Sequence, residues 1–417
     1  MPEASWTWMI YLATHNNVAE AGEESVACMR QAQLSDNVRV LVQRSDPKGT
    51  CRCEIATPPQ SVTDLGPDVD SGAPQTVVDF VRWAKETAPA RRYALVLWSH
   101  GSGWEPSEIE RLTLSQPPAE PVTADEFTER GAEDEGRQVV FSSTMRQLLA
   151  RPTRRERAVA FDDGSGHSLD TIELGELVAE AHNVLGQPVD LLGMNACQMC
   201  NAEVAYQVRQ DARVYVASEE DMPVESLPYD DILTRLAVQP DMEAEALGRM
   251  VVERYCDFYR HSSVPWGRWG MPKGATLAAL GLGRVVPLAD AARSLASALN
   301  ADMEGQVAAV WDAHRKAHAF KFRLYDLGSF CRTLAAHAGA TSASVDGAHA
   351  VLAALEDPAL MLARDHTSPF YDDVAGLTTY LMAPAHGRSI SPHYAETEYA
   401  KDTGWGDFIA AYHAAAL

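Results

Sequence analysis

The first half of the chain alternates short runs of apolar, often β-branched residues with longer stretches in which apolar residues recur at helical spacing. Five apolar runs predict buried strands, at residues 6–13, 38–42, 93–98, 189–194 and 214–218. Three of the stretches between them predict helices, at residues 20–34, 76–86 and 201–209. Strands that are apolar along their whole length are covered on both faces, so the pattern predicts an α/β fold with a mostly parallel central sheet.

This alternation changes at two places along the chain. Residues 105–157 are rich in Glu, Asp, Pro, Gln and Arg and show little apolar periodicity, which indicates a flexible insert. Beyond about residue 240 the chain is mainly helical and rich in Ala, with short strands expected at 275–282 and 376–381. We therefore expect a core of residues 1–240, which contains the insert, and a mainly helical region of residues 241–417 that completes the sheet.

Composition narrows the classes of function. The 417 residues include 35 Lys and Arg against 58 Asp and Glu, a formal net charge of −23. This surplus of carboxylates excludes non-specific nucleic-acid binding and disfavours an anionic membrane surface. The chain has no run of about eighteen apolar residues and no basic segment of a secretory signal at its start. Its 7 cysteines are odd in number and widely spread, so we expect reduced thiols and a cytoplasmic protein.

Two of the predicted strands end in residues suited to nucleophilic catalysis. The third strand runs into His100 and Gly101, and the fourth runs into Asn195 and, two residues later, Cys197. Ligands of parallel sheets bind beyond the carboxyl ends of strands, so a base and a thiol nucleophile would meet at this edge. The N–H groups of Gly101 and Cys197 would form an oxyanion hole. The helix predicted at 201–209 would direct its positive end towards a Cys197 thiolate.

Two other classes of protein compete with this interpretation. The pair Cys197 and Cys200, at a strand-to-helix junction, is spaced like a thiol-disulfide redox motif. It lacks the Trp before the pair and the Pro within it that such motifs usually show, and it gives His100 no role. The second alternative is a catalytically silent binding or scaffold protein that keeps the fold, and the presence of both His100 and Cys197 argues against it.

Several sequence blocks occur in an order that is similar to one protein family. The main blocks are Trp6 to Leu12 with Asn16-Asn17, His100 to Trp104, Asn195 to Met199, and Glu203 to Tyr206. Smaller blocks follow at residues 217–220, 227–230, 325–327 and 376–380, so that the set covers most of the chain. Together they resemble the clostripain family of cysteine peptidases, of clan CD. The resemblance implies a caspase-like α/β/α sandwich and cleavage after basic P1 residues, Arg and also Lys, with Cys197 as the nucleophile and His100 as general base and acid.

The expected P1 pocket departs from the family pattern at one position. Family members usually carry an Asp two residues before the nucleophile, where it helps to bind the P1 cation, whereas this chain has Asn195. A second acidic position of the family falls after the fifth strand, where the chain offers Glu225 and, nearby, Asp221. The resemblance therefore implies a P1 pocket formed by these three residues. One carboxylate can suffice, because a bidentate pair with an Arg guanidinium is a strong contact.

The resemblance also bears on activation, cofactors and partners. Family members are often activated by cleavage of the loop between the His and Cys strands, and in this chain that segment ends in a basic cluster of Arg151, Arg154, Arg155 and Arg157. We therefore expect a zymogen that is cut within the cluster, either by itself or by an upstream activating protease. No cofactor is expected to be required, although some relatives use calcium. The expected partner is a protein or peptide substrate, and neither nucleic acid nor a membrane.

Overall fold

The computed structural model describes residues 3–56, 62–104, 159–162, 167–267, 272–384 and 390–416. In these ranges the strands are β1 Ala4–Ala13, β2 Val38–Asp46, β3 Gly49–Glu54, β4 Thr63–Gly66, β5 Ala90–Trp98, β6 Val159–Asp162, β7 His167–Leu169, β8 Val189–Asn195, β9 Ala212–Ala217, β10 Thr276–Gly281, β11 Leu324–Asp326, β12 Met361–His366 and β13 Thr378–Tyr380. The helices are α1 Ala19–Met29, α2 Pro74–Thr87, α3 Thr171–Leu185, α4 Ala202–Gln207, α5 Tyr229–Val238, α6 Ala244–Arg260, α7 Val285–Ala301, α8 Met303–Lys316, α9 Leu327–Ala336, α10 Ser342–Leu355, α11 Glu398–Thr403 and α12 Trp405–Ala416.

A nine-stranded sheet organises the chain, in the order β12-β10-β9-β8-β5-β1-β2-β3-β4. Its five middle strands, β9, β8, β5, β1 and β2, are mutually parallel. The strands at both edges pair in antiparallel fashion: β3 and β4 on one side, and β10 and β12 on the other. The predicted mostly parallel central sheet is therefore confirmed, with antiparallel strands at its edges.

Helices cover both faces of this sheet, as the apolar pattern of β1 requires. On one face of β1, Trp6, Trp8, Ile10 and Leu12 pack in a core that also contains buried residues of α1, α5 and α6. On the other face, Met9, Tyr11 and Ala13 pack in a second core with residues of α2, α3 and α7. The apolar residues of β1 thus contribute to two layers, one on each face, and the α/β/α sandwich that was predicted is confirmed.

The order of the strands reverses between β1 and β5. The chain leaves β1 through α1 and continues to β2 on one side of β1, whereas β5 lies on the other side and is followed by β8 and β9 further away. Such a reversal marks the crevice, beyond the carboxyl ends of the strands, in which parallel sheets bind ligands. The residues after β1, β5 and β8 all lie at this edge of the sheet.

Residues beyond 240 contribute strands to the sheet and also contact the segment that follows the carboxyl end of β8. The strands β10 and β12 form one edge of the sheet, and the short pair β11 and β13 forms a separate two-stranded sheet. The N–H of Thr378 in β13 donates a hydrogen bond to the Cys200 carbonyl at 3.0 Å, which ties this region to the segment after β8. The division of the chain at residue 240 stays a prediction. Within the described ranges, no helix combines the length and apolar character that crossing a membrane requires.

Candidate active site

The ends of β5 and β8 bring His100 and Cys197 to the same level of the sheet edge. Trp98, the last residue of β5, pairs with Asn195, the last residue of β8. The ladder extends one step further, because the N–H of Ser99 donates to the Asn195 carbonyl at 3.3 Å. His100 and Cys197 each follow these paired residues by two positions. The parallel register therefore brings together the two strand ends that the sequence singled out.

Gly101 packs directly against the backbone of Cys197. A Cβ atom added to Gly101 would lie 3.0 Å from the Cys197 nitrogen and closer still to its carbonyl oxygen. Any larger residue at position 101 would push these two segments apart, so the close approach requires glycine. The two residues whose N–H groups were predicted to form the oxyanion hole are thus in contact, and their role as donors stays a prediction.

The turn that presents Cys197 contains a strained residue. Gln198 has a φ of 62°, in the left-handed region that costs a non-glycine residue about 1–2 kcal/mol. The Gln198 N–H donates to the Glu220 carbonyl at 3.2 Å, and its side-chain amide donates to Asp221 at 3.0 Å. Asn201 adds a hydrogen bond from its amide to the Gln198 carbonyl at 3.2 Å. Strain held in place by several contacts is typical of functional turns, and here it fixes the residue that follows the thiol.

The environment of Cys197 favours the neutral thiol. Burial, the largest cause, and the nearby Asp221 carboxylate raise the Cys197 pKa well above its usual range. The Met222 N–H, which donates to Sγ at 3.3 Å, and the charge of Lys321 lower it but do not compensate. Helix α4 contributes little, because it has only 6 residues and its first turn is capped by the Asn201 side chain. The expected support from a helix N-terminus is therefore supplied by a loop N–H instead.

His100 is buried and neutral. Its side chain is only 6% exposed, and this burial lowers its pKa to about 4, although Asp221 acts in the opposite direction. Its Nε2 atom lies 2.7 Å from Oδ1 of Asn17, a residue in the segment after β1. A neutral imidazole has a lone pair that can accept a proton, which is the form that a general base requires.

The predicted P1 residues have different surroundings. Asn195 is buried and its amide donates a hydrogen bond to the Ser226 hydroxyl, which also accepts one from the Trp98 indole at 2.7 Å. Glu225, the neighbour of Ser226, is exposed. Ser226 has a φ of 71°, so the backbone turns sharply between this carboxylate and the buried amide. Asn195 and Glu225 therefore belong to one continuous region beside the end of β8.

Asp221 is engaged with a residue that the sequence analysis missed. Its carboxylate forms an ion pair with the Lys321 ammonium, and the two side chains are only 15% and 16% exposed, respectively. Burial disfavours the charged form of Lys321, but Asp221 outweighs this and raises the Lys321 pKa. Both groups act electrostatically on Cys197. Lys321 stands in no motif and is 100 residues from its partner, so no sequence signal pointed to it.

Cys200 is a buried structural thiol. Its Sγ atom donates a hydrogen bond to the Gly376 carbonyl at 3.2 Å, whereas the Cys197 sulfur is bound by Met222. Both cysteines are free. The two sulfur atoms have separate partners, so this arrangement does not favour the redox alternative.

Some predicted features lie outside the described residues. These are the whole insert 105–157 and, within it, the proposed processing sites Arg151, Arg154, Arg155 and Arg157. In the part of the chain that is described, no group of three or more His, Cys, Asp or Glu side chains is arranged to hold a metal ion. A requirement for calcium was not predicted, and its use stays an open expectation.

Comparisons with solved structures agree with this architecture. An inactive zymogen of a C11 protease from Parabacteroides distasonis is 16% identical, and the match covers 97% of this chain and 99% of that one with a TM-score of 0.65. A secreted C11 cysteine protease from Bacteroides thetaiotaomicron, solved with an irreversible peptide inhibitor, is 17% identical, with coverages of 96% and 99% and a TM-score of 0.64. At such low identity these matches establish the fold. No curated protein matches the chain.

The fold is therefore the caspase-like α/β/α sandwich that the sequence predicted, and the chain shares it with these C11 protease structures. The sequence model of peptidase C11, the clostripain family, matches residues 126–357, which is more than half of the chain. The chain therefore belongs to the clostripain family and is a cysteine peptidase, as the sequence blocks predicted. The matched range contains Cys197 but begins after His100, so the case for His100 depends on the geometry described above.

Proposed function

We propose that this cysteine peptidase is an endopeptidase in which Cys197 attacks the scissile carbonyl and His100 acts as general base and then as general acid. The observation that carries the proposal is the packing of Gly101, the residue after His100, against the Cys197 backbone. Two strand ends that pack against each other, one followed by a base and the other by a thiol, support an arrangement suited to thiol catalysis.

The environments of the two groups suggest the order of proton transfers. In the free enzyme Cys197 holds its proton and His100 is neutral, because burial disfavours both charged forms. Binding of substrate brings the carbonyl to Sγ, and His100 takes the thiol proton as the C–S bond forms. The N–H groups of Gly101 and Cys197 hold the oxyanion. The protonated imidazole then gives its proton to the leaving amine, and water releases the acyl group by the reverse sequence.

The P1 preference is for Arg, with Lys as the second choice, and Glu225 is the residue that binds the cation. Glu225 is exposed and adjoins the region of Asn195 and Ser226, so its carboxylate is accessible to a substrate. Asp221 is less suited to this role because Lys321 already neutralises it. Asn195 supplies an amide where most relatives supply an acid, so the pocket has less negative charge than in those relatives.

Replacement of Glu225 by Gln tests this preference. For a substrate with Arg at P1 we expect kcat/KM to fall by about 10- to 100-fold, since a hydrogen bond to a charged group contributes about 1.5–3 kcal/mol. For a substrate with norleucine at P1, the variant and the wild type should have the same kcat/KM. The measurement is a fluorogenic series with Arg, Lys, norleucine and Asp at P1. Glu304→Gln, at an exposed carboxylate at the start of α8, is the matched control. Preferred cleavage after Asp, or an unchanged Arg preference in Glu225→Gln, would contradict the assignment.

Activation is proposed to occur by cleavage in the basic cluster that contains Arg151, Arg154, Arg155 and Arg157. One similar structure is described as an inactive zymogen, which supports this proposal. On incubation, the wild type should acquire a new N-terminus within or next to the cluster and gain activity in parallel, whereas Cys197→Ala should stay intact unless an active protease is added. The measurement is N-terminal sequencing of the fragments. An intact wild-type chain with full activity would overturn the proposal.

A further inference from the structure

We propose that Asn17 is a positioning residue that holds the His100 imidazole in the orientation and tautomer needed for proton transfer. The inference rests on the proposed function, because it concerns the same general base. Its basis is the 2.7 Å separation between Oδ1 of Asn17 and Nε2 of His100. Asn17 follows β1, the strand next to β5, so the residue reaches His100 from the side opposite Cys197.

The segment that carries Asn17 and the segment that carries His100 share a hydrogen-bond acceptor. The Ala13 carbonyl, at the end of β1, accepts a hydrogen bond from the Ser99 hydroxyl at 2.8 Å and one from the Asn16 amide at 3.2 Å. Ser99 immediately precedes His100, and Asn16 immediately precedes Asn17. One backbone atom therefore fixes the two segments relative to each other, and the contact between Asn17 and His100 follows from this shared anchor.

Asn16 also determines the direction in which the chain leaves β1. Its Oδ1 atom accepts the Val18 N–H at 3.0 Å, in an Asx turn that leads into α1. Asn16 is buried, whereas Asn17, which contacts His100, is exposed. The two neighbouring amides thus have different tasks: Asn16 builds the turn, and the turn presents Asn17 to the imidazole.

The chemistry of an amide suits this position. An Oδ1 acceptor at Nε2 requires the imidazole proton to be on Nε2, which leaves the lone pair on Nδ1 available to take a proton. The amide carries no charge, so it orients the ring while stabilising the imidazolium form much less than a carboxylate would. A carboxylate at the same position would orient the ring equally well but would favour protonation in the free enzyme. Asn17 therefore matches a buried histidine that must be neutral before substrate binds.

Replacement of Asn17 by Ala and by Asp separates positioning from structural support. In Asn17→Ala we expect kcat to fall by about 10- to 100-fold with little change in KM, because a general base loses efficiency when it is misoriented. In the wild type the acid limb of kcat/KM against pH is expected near pH 4, since His100 must be unprotonated and its pKa is lowered to about 4. In Asn17→Asp the added carboxylate raises that pKa. The acid limb of this variant should therefore lie at a higher pH than that of the wild type.

The other ionisable groups around His100 are unchanged in these variants. Asp221, after β9, acts electrostatically on His100 and is paired with Lys321. Cys197 and His15 follow the strands β8 and β1, which flank β5. The matched controls are Asn183→Ala and Asn183→Asp, at an exposed amide on α3 that donates to Glu180. Neither control should alter kcat or the acid limb.

A second measurement is independent of turnover. In protein with ¹⁵N-labelled histidine, NMR of the wild type should show His100 with its proton on Nε2, and Asn17→Ala should show a mixture of tautomers. His100→Ala identifies the signal. A wild-type kcat, acid limb and tautomer in Asn17→Ala would overturn this inference while leaving the proposed function intact. If the wild type, processed or unprocessed, cleaves no substrate of the P1 series, the proposed function itself fails.

Discussion

Replacement of Cys197 by Ala is expected to lower kcat/KM for a P1-Arg substrate by at least about 10⁴-fold, because the nucleophile is removed and no covalent intermediate can form. His100→Ala should cause a loss of similar size, since the buried thiol then has no base to accept its proton. The double variant should be no worse than either single variant, because groups that act as one unit are strongly non-additive. Steady-state kinetics with the fluorogenic series measures all three.

A matched control separates chemistry from damage to the fold. Cys51 lies on β3, near the other edge of the sheet, and is only partly buried, so Cys51→Ala should retain wild-type activity. Thermal unfolding of Cys197→Ala should be close to that of the wild type, because Cys197 belongs to neither of the two apolar cores of the described residues. If Cys197→Ala cleaves peptides at the wild-type rate, another nucleophile must be responsible.

The same variants distinguish the two alternatives that the sequence left open. A redox protein that uses Cys197 and Cys200 would lose disulfide reduction in Cys197→Ala and would be unaffected by His100→Ala. A catalytically silent protein would leave a P1-Arg substrate uncut in every form, including chain that has been nicked in the insert. The peptidase proposal requires that peptide cleavage falls to a similar extent in His100→Ala and in Cys197→Ala.

The middle of the sheet was predictable because its strands carry a strong local signal. The strands β1, β5, β8 and β9 are buried on both faces, and each was expected from a continuous apolar run. The edge hairpin of β3 and β4 was missed, because β3 alternates small and charged residues and β4 is largely exposed. Helix α1 ends at Met29 instead of residue 34. Propensity alone did not indicate that the chain would turn there.

The candidate site likewise has a part that could be predicted from the sequence and a part that could not. His100 and Cys197 were identifiable because each follows a strand directly and falls within a sequence block. Asn17 also falls within a block, but its contact with His100 depends on β1 lying next to β5, which is a property of the topology. The pairing of Asp221 with Lys321 joins segments 100 residues apart. Contacts of this range are created by the fold, and no spacing in the sequence reports them.

The ion pair of Lys321 with Asp221 leads to the second large effect that we expect. Lys321→Met removes the ammonium but leaves a mostly buried carboxylate beside the thiol and the imidazole. Loss of the Lys321 charge, which lowers the Cys197 pKa in the wild type, leaves that carboxylate to raise it, so the thiol is less acidic and less of it is ionised. The same carboxylate raises the His100 pKa, which offsets part of this effect on proton transfer. We expect kcat/KM to fall by about 100-fold, and alkylation of Cys197 by iodoacetamide near pH 7 to slow in parallel. The free energy of unfolding should also fall by about 3–5 kcal/mol, because the partner of a buried charge is removed.

The double variant Lys321→Met with Asp221→Asn tests whether charge is the cause. Removal of both charges should restore most of the alkylation rate and the thermal stability, because no unpaired carboxylate is left in the crevice. Lys316→Met, at an exposed lysine of α8 that pairs with Asp312, is the matched control and should behave like the wild type. If Cys197 is alkylated in Lys321→Met at the wild-type rate, or more slowly in the double variant than in Lys321→Met, the ion pair does not control the reactivity of the nucleophile. Recovery in the double variant would show that the role of Lys321 is to neutralise the Asp221 carboxylate, which otherwise disfavours loss of the Cys197 proton.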